Sequence, residues 1–348
     1  SGMSILGYSL LLPLNYSVSR IISLILGIYL VLEFLNSDYG LYSIAYSYLI
    51  QQIFCFFCNS IISFKLIFGL QNKFKINIKS YILIDFMSSL KHLFFARSGE
   101  SIVKNIEPVI IGSSIGAEST AIYVFAKKVS DTIYQLVNTV TGSAYASLVN
   151  LNQEKNIDEN DERIEKLNKF IFYSSMILLS FFISLNKDFI KFWVGKDFIV
   201  STMLSSLFAI STFMMIWIQF KSIILYSKNK IRHVSIVLFF ESILRLLLLY
   251  ILFNYLKLFG GPLAIIISTF FGIYLLDRGQ KIDKISFIIC VIFFVSAIVI
   301  ASIKIEFTPI INILIRGLSL SAVMVTVFLG SKKFRNNIIK IANYIIKK

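Results

Sequence analysis

The chain has 348 residues, of which 57% are apolar and only 15% charged, and its mean hydropathy is +0.78. A soluble domain carries about a quarter charged residues, so this composition excludes a soluble globular protein. The net charge of +15 would suggest nucleic acid in a soluble chain, but here Lys and Arg sit mostly in short loops between apolar runs, which excludes that partner as well.

Apolar runs long enough to cross a bilayer recur from one end of the chain to the other. In order, the predicted spans are 8–34, 41–70, 83–113, 117–148, 169–186, 202–226, 234–256, 261–276, 285–303 and 310–330. The predicted fold class is therefore an all-α polytopic membrane protein with about ten transmembrane helices. The chain opens Ser1-Gly2-Met3, so either two residues precede a native Met3 or this is a piece of a longer protein. In the second span Cys55 and Cys58 form a C-x-x-C inside an apolar helix, and no second Cys or His pair accompanies them. Packing explains them better than a metal or redox centre. Gly40, Gly116 and Gly260-Gly261 are placed in tight turns, and Pro262 and Pro309 at helix starts, where a missing N–H does no harm.

The loops alternate in charge. Those at 71–80, 149–169, 227–233 and 277–284, with the tail after 330, hold 19 Lys and Arg; the opposite set holds 5, namely Lys187, Lys191, Lys196, Lys257 and Lys304. Basic residues stay on the cytoplasmic side, so the first set is cytoplasmic and both termini face the cytoplasm. The stretch 149–169 reads as a polar cytoplasmic connector, helical near Asp161 to Leu167, and the tail from Lys332 as an amphipathic helix lying on anionic lipid.

Charges inside the spans are the informative anomaly, because one at the bilayer centre costs about 2.5–3.5 kcal/mol on insertion scales. In the third span Arg97, Glu100, Lys104 and Glu107 recur every three or four residues and share an arc of about 80°. In the fourth, Lys127, Asp131, Gln135, Asn138 and Tyr145 share a second arc of about 80°. A short turn at Ser113–Gly116 joins these spans, so they are expected to be antiparallel neighbours whose stripes face a common, hydrated space. Glu241 and Arg245 form an i,i+4 pair in the seventh span that either lines this space or simply locks helices together. Arg20 and Arg316 lie within the first and last spans. His92 and His233 are the only histidines, and neither a zinc-type His spacing nor a phosphate-binding Gly-rich loop is present. No catalytic residue, metal or cofactor is expected, and ATP hydrolysis is not an expected activity.

The segment EPVIIGSSIGAESTAIYVFAKKVSDTIYQLV, within Arg97 to Leu151, resembles the polysaccharide-export flippases, the O-antigen type within the multidrug/oligosaccharidyl-lipid/polysaccharide exporter superfamily. The carrying residues are Ile110-Ile111-Gly112, Gly116, Tyr123, Ala126, Lys127 and Val129, with Glu107 near the position where the family has Asp. FWVGKDFI at Phe192–Ile199 looks like a family periplasmic segment, and Ser227–Pro262 like a later span pair; Asn36–Gly40 looks like the first hairpin.

The resemblance implies helical lobes of six spans each, with the first lobe incomplete here. Residues 1–80 would hold two spans of that partial lobe and 81–276 a six-helix second lobe with the connector 149–169. Two additional spans would occupy 277–330, and 331–348 a basic cytoplasmic tail. It also implies a lipid-linked oligosaccharide as cargo, moved across a bacterial inner membrane by alternating access. Membrane lipids and other polysaccharide-assembly proteins would be its partners. Arg97, Lys104 and Lys127 would hold the anionic headgroup, with Glu100, Glu107 and Asp131 moderating them. A membrane glycan polymerase or ligase is a rival, but its large periplasmic loop is absent from the segment Asn186–Ser201, the longest on that side. A drug–cation antiporter would require a more acidic cavity.

Overall fold

The computed structural model describes residues 13–37, 39–40, 42–71, 80–153, 157–276, 284–303 and 307–330. Among these the chain is helical, without strands: α1 (Pro13–Asn36), α2 (Tyr42–Gln71), α3 (Ser80–Ile115), α4 (Ala117–Gln153), α5 (Ile157–Trp193), α6 (Thr202–Ser227), α7 (Ile231–Leu256), α8 (Gly260–Leu276), α9 (Lys284–Ser302) and α10 (Pro309–Gly330). Each of the ten predicted spans falls on one of these helices. The predicted tail helix at 331–348 lies outside the described residues, as do most of the basic loops 71–80 and 277–284.

The chain is an all-α polytopic membrane protein. Four described stretches are both long and apolar enough to cross a bilayer by composition alone: Ile164–Trp193, Thr202–Ser227, Ile231–Leu276 and Pro309–Val327. The third of these is α7 and α8 together, broken by the 3-10 turn Lys257–Phe259. Helices α3 and α4 are long enough but carry internal charges. Large apolar side chains such as Phe240, Leu247, Tyr250, Phe270 and Tyr274 are exposed along α7 and α8, which suits helices bathed in acyl chains, where no aqueous penalty applies.

The helix expected near Asp161 to Leu167 in the connector is present and longer than expected: α5 begins at Ile157, and α4 runs to Gln153. The mixed charges support this helix, as in the Glu165–Lys169 pair at 2.5 Å, one turn apart. Gly260 and Gly261, expected in a turn, are instead the opening of α8, where they allow close packing.

The chain divides into two compact units, Ser1–Ile84 and Asp85–Lys348. In the first, α1 and α2 pair along a seam of small polar residues. Ser19, Ser23, Ser43 and Ser47 are buried there, and the Ser19 hydroxyl donates to Asn59 Oδ1 at 2.7 Å. Small residues let backbones approach, and hydroxyls bonded within the pair avoid a cost that lipid cannot relieve. Gly40, at φ +52°, makes the turn between them. Cys55 and Cys58 are free and partly buried.

In the second unit α5 is the central post, touching α4, α6, α9 and α10. Asn186 on α5 donates its amide to Ala126 O on α4 at 3.3 Å and to Ser205 Oγ on α6 at 3.1 Å. Arg316 on α10 pairs with Asp188 on α5 at 2.9 Å, both side chains nearly fully buried. Its remaining N–H groups donate to Ala301 O at 2.7 Å and Ile303 O at 3.0 Å, capping the end of α9. Asn312 adds a bond to Asp188 at 3.3 Å. One cation thus neutralises a carboxylate and bonds two carbonyls at the helix end, tying α9 and α10 to α5. Arg316→Ala should leave Asp188 uncompensated and cost about 3–5 kcal/mol, read as a lower thermal unfolding midpoint in detergent. The double substitution Asp188→Leu/Arg316→Met should recover most of that loss; no recovery would show that the pair is not what holds α10.

Candidate functional site

The polar stripes of α3 and α4 meet inside the second unit. Glu107 on α3 is buried and both its oxygens are engaged by α4: Tyr123 donates to Oε1 at 2.5 Å and Lys127 to Oε2 at 2.7 Å. Asp131, one turn further along α4, stands 4.0 Å from the same ammonium. The expected pairing of the two helices is thus realised through one carboxylate and two donors spaced four residues apart, the spacing that puts both on one helix face. Pro108 follows Glu107 inside α3; lacking an N–H, it leaves a carbonyl one turn back without its usual helical partner.

The geometry depends on close approaches elsewhere. Tyr123 packs edge-on against Phe208 of α6 and Phe253 of α7. A methyl group on Gly261, at the start of α8, would collide with the Tyr123 hydroxyl and lie 2.8 Å from the Phe253 ring. Gly261 therefore clears the position from which Tyr123 reaches Glu107.

A second polar cluster joins α7 to α8. Glu241 Oε1 accepts from Arg245 Nε at 3.0 Å and also from its Nη2, while Ser268 donates at 3.0 Å and Thr269 at 3.4 Å. Gly272 permits this, since a methyl group there would meet Glu241 Cγ at 3.0 Å. Glu241 and Arg245 are both buried. Of the two readings left open for this pair, both apply: it locks α7 to α8, and Arg245 also forms a cavity wall.

Two cavities adjoin these clusters. The larger, about 170 Å³, has walls from Glu100, Lys104, Glu107, Lys127, Lys128, Asp131, Gln135 and Arg245, with Tyr123, Tyr134 and Met215 among the others. The smaller, about 40 Å³, is bounded by Arg97, Glu100, Tyr134, Met215, Gln219, Tyr226, Glu241, Ser242 and Arg245, with apolar side chains between them. Of the residues singled out from the sequence, Glu100, Lys104, Glu107, Lys127, Asp131, Gln135 and Arg245 are brought to the larger cavity, and Arg97 and Glu241 to the smaller. Asn138 belongs to neither wall. Arg97 is paired with Glu100 at 2.9 Å, with both side chains substantially exposed, so this pair contributes about 0–1 kcal/mol at most.

The larger cavity carries four cations (Lys104, Lys127, Lys128, Arg245) against three carboxylates (Glu100, Glu107, Asp131). Lys127 and Arg245 are committed to Glu107 and Glu241. Lys104 and Lys128 have no ion-pair partner among the described residues, and both are exposed to the cavity. Sequence reasoning passed over Lys128 because it lies about 100° round the helix from Lys127; the cavity is wide enough to include it. Tyr134 was missed because an aromatic in an apolar span gives no signal of its own. Among the described residues no group of His, Cys, Asp and Glu could hold a metal ion.

The family described as polysaccharide biosynthesis protein matches residues 14–203, more than half of the chain. Neither a curated protein nor a solved structure matches it.

Gly261→Ala should destabilise the protein by about 1–3 kcal/mol through overpacking against Tyr123. Gly317→Ala, on α10 where a methyl group meets nothing within 4 Å, should be neutral or stabilising. Thermal midpoints of the two purified variants give the comparison, and equal midpoints would contradict the packing described.

Proposed function

The chain belongs to the polysaccharide biosynthesis protein family, and from that premise we propose that it is a transporter, not an enzyme, which moves a lipid-linked oligosaccharide across the bacterial inner membrane. The cargo is an undecaprenyl-pyrophosphate-linked glycan, an O-antigen or capsule repeat unit, carried from the cytoplasmic to the periplasmic leaflet. The observation that carries this reading is the cavity among α3, α4, α6, α7 and α8, with four cations against three carboxylates, two of the cations, Lys104 and Lys128, being in no ion pair among the described residues.

The cargo's chemistry matches such a site. A pyrophosphate with its sugars cannot enter hydrocarbon without losing its hydration, so it needs a polar route, while the polyprenyl tail stays in lipid. The Lys104 and Lys128 ammonium groups, in no ion pair among the described residues, supply the charge the phosphates require. Carboxylates next to them keep the attraction from becoming a trap. Lys127 contributes by holding Glu107 and, when the anion enters, by sharing its charge with it. Arg97 stands further along α3, where the cargo would meet it at another stage of passage. Alternating access, with helices rocking about the bound headgroup, provides the movement. The loop charges, 19 basic residues against 5, support a multi-pass arrangement with both termini in the cytoplasm. Membrane lipids surround the protein, and other polysaccharide-assembly proteins receive the flipped glycan.

Loss of a charged hydrogen bond to the phosphates is worth about 1.5–3 kcal/mol, equivalent to roughly a ten- to hundredfold weakening. In a strain deleted for the gene, complementation with Lys104→Ala/Lys128→Ala should restore little surface glycan, whereas Lys104→Arg/Lys128→Arg should restore most of it. Wild-type amounts of surface glycan from the alanine variant, at equal protein level, would overturn the assignment.

A further inference from the structure

The two cavities share a boundary made of four side chains, and each comes from a different helix: Glu100 of α3, Tyr134 of α4, Met215 of α6 and Arg245 of α7. The order of wall residues along the helices shows how the cavities are arranged. On α3 the smaller cavity takes Ala96 to Glu100, and the larger Glu100 to Pro108. On α6 the smaller lies from Met215 onward to Tyr226, and the larger touches only Met215. On α7 the smaller runs from Leu238 to Arg245, and the larger touches only Arg245. All three helices put the same cavity on the same side of the boundary, allowing for their direction. The cavities are therefore stacked along the helix axes, and the stretch Ala96 to Pro108 spans about 18 Å of rise.

We infer that these four residues form a septum closing one continuous polar track, and that Tyr134 and Met215 are its movable part and decide what passes. One of the four is firmly tethered: Arg245 is held by Glu241 and by the hydroxyls of Ser268 and Thr269. Glu100 has its exposed pair with Arg97. Tyr134 and Met215 have rotatable bulk, a ring on two torsions and an unbranched thioether on three, and Met is the side chain that repacks most readily. The two sides differ in size: about 40 Å³ on one side has room for only a few waters, at about 10–15 Å³ each on this measure, whereas about 170 Å³ on the other has room for a phosphate-sized group. The inference rests on the transport reading above, because a septum in a track matters only if something moves along the track. It adds the residues that set the barrier.

Thiol labelling in sealed vesicles tests the septum without measuring glycan transport. Cys55, Cys58 and Cys290 are first replaced by Ala, and single reporters are introduced as Val124→Cys in the larger cavity or Gln219→Cys in the smaller. A membrane-impermeant maleimide is added from the face that labels Val124→Cys. With the septum intact, Gln219→Cys should not react from that face. Adding Tyr134→Ala/Met215→Ala should raise its labelling rate by about an order of magnitude or more, and Tyr134→Phe, which keeps the ring, should not. The inference is overturned if Gln219→Cys reacts from that face with Tyr134 and Met215 in place, or stays unreactive after both are truncated in protein that still elutes as a single folded species. If instead the labelling behaves as expected while glycan export never depends on this chain, the septum stands and the cargo assignment fails.

Discussion

An ionised carboxylate inside a membrane protein must find its counter-charge and its hydrogen bonds within the protein, because lipid supplies neither. Glu107 meets that requirement by drawing Tyr123 and Lys127 onto its two oxygens, at 2.5 and 2.7 Å. Much of the second unit is arranged around this bond set. The Tyr123 ring wedges between α6 and α7, and Gly261 holds back the start of α8 to admit it. The same pairing leaves α3 and α4 facing each other across a polar gap rather than a greasy one, which makes a cavity possible there.

Three buried charge clusters serve different ends. Asp188 with Arg316 closes the end of α9 and fixes α10 to the central post, away from either cavity. Glu241 with Arg245 clamps α7 to α8 and leaves the guanidinium as a wall. Glu107 with Lys127 faces the larger cavity directly. Removing one partner of a buried pair costs more than the pair ever contributed, so all three act as fixed points. Against them Lys104 and Lys128, in no ion pair among the described residues, stand out as charges not fixed in a buried pair.

The overall fold was legible because hydrophobic thickness dictates span length and apolar runs therefore count helices directly. Each predicted span lies on its own helix, from Pro13–Asn36 to Pro309–Gly330. The helix expected near Asp161 to Leu167 begins earlier, at Ile157, since charges one turn apart satisfy one another on a helix surface, as Glu165 and Lys169 do. Gly260 and Gly261 were equated with a turn when their missing side chains serve helix contact.

The sequence by itself determined the membrane class, the helices and the arcs on which Arg97, Glu100, Lys104, Glu107, Lys127 and Asp131 lie, because periodicity along one helix needs no knowledge of its neighbours. Only the tertiary structure decided which of those charges cancel and which remain available. Whether Lys127 is spent on Glu107, whether Lys128 reaches the same cavity and whether Arg316 finds Asp188, 128 positions earlier in the chain, depend on distances between helices. Such distances are set by glycine contacts and ring packing among residues far apart in sequence, and no single-helix pattern records them.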